Sequence, residues 1–74
     1  MKLHCTTYTV NGIDYAEFAT SGAGASKIRT RLKRLSKTND VTSVATEEAD
    51  VPTTRTELVA FLNGLKAHVS WNDD

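Results

Sequence analysis

Seventy-four residues with nine Lys and Arg against nine Asp and Glu, 39% hydrophobic and 24% charged, describe one ordinary folded domain of zero formal net charge. That balance excludes a disordered tail, a collagen-like chain and a disulfide scaffold, and a domain that buries only roughly 60% of its unfolded surface has little stability in reserve. The longest apolar run, Leu58 to Leu62, is far short of the roughly 20 residues that span a bilayer, and no apolar centre follows Met1, so a cytoplasmic protein with no membrane association is expected.

The first local signal is Asn11-Gly12 between two runs rich in Thr, Tyr, Val, Ile and Phe, KLHCTTYTV and IDYAEFAT. Asn and Gly best tolerate the positive φ of a two-residue type I′ turn, so the runs form a hairpin with Val10 opposite Ile13, Tyr8 opposite Tyr15 and Cys5 opposite Phe18. Alternation puts Leu3, Cys5, Ala16 and Phe18 on one face, and His4, Val10, Ile13 and the two tyrosines on the other. Either face could be the core.

The small-residue stretch Ser21 to Ser26 leads into Ile28, Leu32 and Leu35, whose i, i+4, i+7 spacing predicts a helix with Ser21 as its N-cap and Thr38-Asn39-Asp40 as its end. Val41 to Val51, rich in Val and Thr, reads as a third strand with acids near its far end. Pro52 stops it. Thr54 and Glu57 make a capping box, after which Leu58, Phe61, Leu62, Leu65 and Val69 form one stripe of a second helix that runs to about Ala67, with Gly64 on its exposed side and Lys66 and His68 in its last turn. Trp71 then covers the bottom of the core. The order β-β-α-β-α predicts an α+β domain, a three-stranded sheet with two helices on one face and their stripes packed on each other. A right-handed crossover sets the third strand parallel to the second, with the first between them.

No cofactor or metal is implied. His4 and Cys5 are adjacent and so point to opposite faces of a strand, while a zinc site needs three or four converging ligands. Cys5 reads as a buried, inert thiol, and neither it nor Ser26 is tied by any motif to His4 or His68, so no enzyme is expected. Ser21 to Lys27 resembles a phosphate loop only faintly, because the spacing of Gly-x-x-x-x-Gly-Lys-Ser/Thr is absent.

The charge pattern is more informative. Lys27, Arg29, Arg31, Lys33, Arg34 and Lys37 form a block with no acid among them, and Asp40, Glu47, Glu48, Asp50 and Glu57 follow. The helix stripe lies within roughly 60° at about 100° per residue, so these six cations occupy the remaining arc and offer a binding surface. Tyr8 and Tyr15 offer a second one if their face of the sheet is uncovered. A small chain of this character is expected to be a protein-binding modulator, of the sort phages and mobile elements encode against a host machine such as a defence nuclease complex. The alternative is a nucleic-acid-binding protein that uses the basic helix, although a neutral domain with no aromatic on that helix fits this less well. A monomer, or a small homodimer formed through a free hairpin edge or the tyrosine face, is compatible with both.

Overall fold

The computed structural model describes residues 1–72. Within them the chain forms β1 (Lys2–Val10), β2 (Ile13–Ala19), α1 (Gly22–Leu35), β3 (Val41–Asp50), α2 (Arg55–Leu65) and β4 (His68–Asn72). The class is α+β, and the sheet has four strands in the order β3-β1-β2-β4, not three.

The hairpin follows from its turn. Asn11 and Gly12 take φ of 51° and 84°, and the register is Val10 to Ile13, Tyr8 to Tyr15 and Cys5 to Phe18. The Asn11 side chain also fastens the tip to the loop after α1: its oxygen accepts from the Asp40 N–H at 3.0 Å, its amide donates to Asn39 Oδ1 at 3.0 Å, and its backbone N–H donates to the Asp40 carbonyl at 2.9 Å. β3 pairs antiparallel with β1, which places β1 in the interior, and β4 pairs parallel with β2. Both hairpin strands are therefore paired on both sides, and the expected free hairpin edge does not exist.

The expectation of two helices on one face is wrong. Ile28 and Leu32 of α1 pack with Tyr8 and Ala19, whereas Leu58, Phe61 and Leu65 of α2 pack with Leu3, Cys5, Ala16, Phe18 and Val51. Cys5 and Tyr8 differ by three residues in β1, as do Ala16 and Ala19 in β2, so the two clusters lie on opposite faces of the sheet. The handedness of crossovers accounts for this. The β2-to-β3 connection steps over β1 in one direction and the β3-to-β4 connection returns across the whole sheet in the other, so keeping both right-handed puts their helices on opposite faces. The stripes of α1 and α2 consequently do not meet.

The end of the chain differs from expectation for a related reason. Lys66 adopts a left-handed conformation, φ 52° and ψ 37°, which stops α2 after Leu65 and turns the chain into β4. Val69 joins the α2-side cluster from a strand, not from a continued helix, and His68 lies in that strand also. Trp71 does cover the core, stacking on Phe18 with ring centroids 4.8 Å apart. Thr54 is the N-cap of α2, but its side chain makes no capping hydrogen bond, so the capping box does not close.

Candidate interaction surface

α1 starts where Ser21 caps it, with Oγ accepting from the Gly24 N–H at 3.1 Å, and no acid occupies its first turn. Gly24 and Ala25 are buried, which makes the small-residue stretch a close-packed helix entry. Ile28 and Leu32 turn inward, and all six cations from Lys27 to Lys37 are exposed.

The cations are not equivalent. Arg31 lies beside the apolar stripe and reaches back to the sheet, where its guanidinium donates to the Glu17 carboxylate. Glu17 is only 5% exposed, on the face that α1 covers, so Arg31 supplies the charge partner a buried carboxylate requires. The hydrogen bond to Glu17 raises the Arg31 pKa further, with burial working against it. Arg31 is thus part of the fold's own electrostatics. The other five make no ion pair among the described residues; Arg29 donates to Ser26 Oγ at 3.2 Å.

These five divide over two flanks. Lys27 and Arg34 share with Ser26, Thr30 and Arg31 a shallow depression along one side of the helix. Arg29 and Lys33 lie on the other side, beside a groove shared with β3, and Lys37 follows the last turn. The β3 acids form no ion pair with these cations: Glu47 and Glu48 form none among the described residues, and Asp50 pairs with the Met1 ammonium at 3.2 Å.

Tyr8 and Tyr15 stack as the register requires, centroids 5.4 Å apart and 12° from parallel, and Tyr15 meets His68 at 5.4 Å. Their face is the one α1 covers. Tyr8 is buried in the cluster with Ile28 and Leu32, and burial pushes its phenol pKa up, with Glu17 adding to the effect and Arg31 opposing it. Of the two faces the sequence leaves open as the core, the tyrosine face is thus covered by a helix, with Tyr8 buried and Tyr15 partly buried. Cys5 lies on the opposite face from His4 and from the Tyr15–His68 pair, and its thiol pKa is raised by burial first and by the Glu47 charge second. No group of three or more His, Cys, Asp or Glu converges to hold a metal among the described residues.

One part of this surface escapes pattern reading. Opposite β1 the register of β3 slips between Thr7 and Thr9, so that Ser43 and Val44 both face Tyr8. Ser43 takes φ 56°, the left-handed geometry of a bulge, and Val44 is left 45% exposed beside α1. Ser-Val inside a Val/Thr-rich run carries no glycine to announce the bulge. No known protein family, curated protein or solved structure matches this chain.

Proposed function

We propose that the domain is a non-catalytic binding module that presents the solvent face of α1 to an acidic surface of a partner protein and thereby modulates that partner. The observation that carries this reading is the separation of roles among the cations: Arg31 pairs with Glu17, while Lys27, Arg29, Lys33, Arg34 and Lys37 are exposed and form no ion pair among the described residues. A basic face left unneutralised in a chain of zero net charge attracts and orients an acidic partner and governs its rate of encounter. The described residues include no helix long and apolar enough to cross a membrane. A cytoplasmic setting, and a role as a phage or mobile-element modulator of a host machine, extend the same reading, the setting from its free Cys5.

A nucleic-acid reading has one observation in its favour, the row of Lys27, Arg31 and Arg34 with the hydroxyl-bearing Ser26 and Thr30 beside it. Against it stand the zero net charge, the isoelectric point near 6.7 and a helix with no aromatic for stacking on bases. Recovery of partners from the source cell with and without nuclease treatment, using the native chain and the triple variant R29E/K33E/R34E, tests the proposal. The variant should remain folded by circular dichroism and lose a partner that survives nuclease. Full retention of that partner by the folded variant would refute the basic face as the working surface.

A further inference from the structure

Between α1 and the start of β3 lies an open groove of about 280 Å3, lined by Leu32, Val41 and Val44 together with Arg29, Lys33 and Ser36. The bulge creates its unusual feature, since Val41 joins the core cluster while Val44 stays 45% exposed. The polar lining is one-sided. No acid borders the groove, neither Arg29 nor Lys33 is ion-paired among the described residues, and the Ser36 hydroxyl is committed to the Lys33 carbonyl at 2.7 Å. An apolar wall and two uncompensated cations therefore meet in one small space. Its volume lies just below the roughly 300–1,000 Å3 of sites that enclose whole small molecules, which suits a single side chain better than a cofactor.

We propose that this groove receives one apolar side chain of an acidic protein segment, with Arg29 and Lys33 taking the carboxylates on either side of it. This rests on the basic-face reading and narrows it to one flank of α1. A phosphate backbone would satisfy the two cations but leave the exposed Val44 without an apolar contact, so the pairing of chemistries points to a protein segment. The bulge then has a use, because it is what holds Val44 out against the cations at the cost of a left-handed Ser43.

The test titrates the 15N-labelled chain with two synthetic glutamate-rich peptides that differ only in a central leucine or glycine. The leucine peptide should move the amide signals of Leu32, Lys33, Val41 and Val44 and bind at least about tenfold more tightly, the gain expected from burying much of one apolar side chain. R29E/K33E should lose both peptides. Val44→Ser, a change at an exposed position, should bring the two affinities within about twofold of each other, while K27E/R34E on the other flank should keep the leucine preference. Equal affinity for the two peptides in the native chain would overturn the groove and leave the basic-face reading standing. Absence of any shift on α1 with either peptide would overturn both.

Discussion

The Arg31–Glu17 pair shows how one residue in a charged run can differ from its neighbours. Glu17 lies opposite Thr6 in the hairpin, and both are buried beneath α1, where Thr6 satisfies its hydroxyl against Thr46 Oγ1 at 2.9 Å and Glu17 turns to Arg31. Removing the guanidinium strands a buried carboxylate. Arg31→Ala should cost about 1–3 kcal/mol, below the 3–5 kcal/mol of a fully buried pair because Arg31 itself is half exposed and screened by solvent. Arg34→Ala should change stability by less than about 0.5 kcal/mol. Urea denaturation of the two variants checks the contrast, and equal losses would contradict the distinction. The same scale sets an alkaline limit. Burial raises the Cys5 thiol above its ordinary 9.0 and the Tyr8 phenol above its ordinary 10.0. For both groups the folded chain keeps its proton to higher pH than the unfolded chain, so their stabilisation is whole below those ordinary values and is lost as pH rises through the raised ones. Stability should hold level from neutrality to about pH 8.5 and then fall. In Cys5→Ala the fall should begin about one pH unit later; an unchanged alkaline profile would contradict the thiol's part in it.

Elements were legible in the sequence where a local rule fixed them, and illegible where the outcome depended on the rest of the sheet. Asn11-Gly12 dictates its own turn and register, and the spacing of Ile28, Leu32 and Leu35 together with the Ser21 cap defines α1, so both stand where the pattern puts them. The pattern of α2 was equally clear, but it could not say which face of the sheet the helix would cover. Val69 continued the helical stripe in number alone, because a left-handed Lys66, where glycine would be the usual choice, ends the helix two residues after Gly64. The fourth strand was missed with it. The basic face was legible because charge needs no tertiary partner, whereas the burial of Tyr8 and the groove at Val44 depend on α1 and a bulge that no composition signals. Placement on separate faces also alters the energetics of the two helices. No residue of α2 is fully buried, and Phe61 touches Phe18 obliquely, centroids 6.0 Å apart. Phe18, 1% exposed beneath both Phe61 and Trp71, is the larger loss. Phe18→Ala should cost about 3–5 kcal/mol, enough to unfold so small a domain, while Phe61→Ala should cost about 1–3 kcal/mol and leave it folded. Thermal melts compare them directly; a greater loss at Phe61 would contradict the assignment of α2 to the outer side of the core.

At the scale of the whole molecule the sheet separates two tasks. α2 closes one face, and α1 closes the other while turning four of its five cations outward, with Lys37 just past its end. The chain thus keeps zero net charge while gathering exposed cations along one helix. The distribution of that charge limits what a phosphate backbone can gain. A strand laid along one flank meets two or three unpaired cations, for a log–log salt slope of about −1.8 to −2.7 on duplex DNA, and the acids elsewhere on the domain add repulsion. The decisive measurement is the polarisation of labelled random-sequence duplex and single strands titrated with the native chain at about 150 mM salt. Recognition of an acidic protein by the α1 face requires this binding to be no tighter than the non-specific range of about 10⁻⁶–10⁻⁴ M, with a salt slope no steeper than about −3. Sub-micromolar binding to naked DNA or RNA under those conditions, lost in R29E/K33E/R34E, would contradict it and make nucleic acid the ligand of the basic helix.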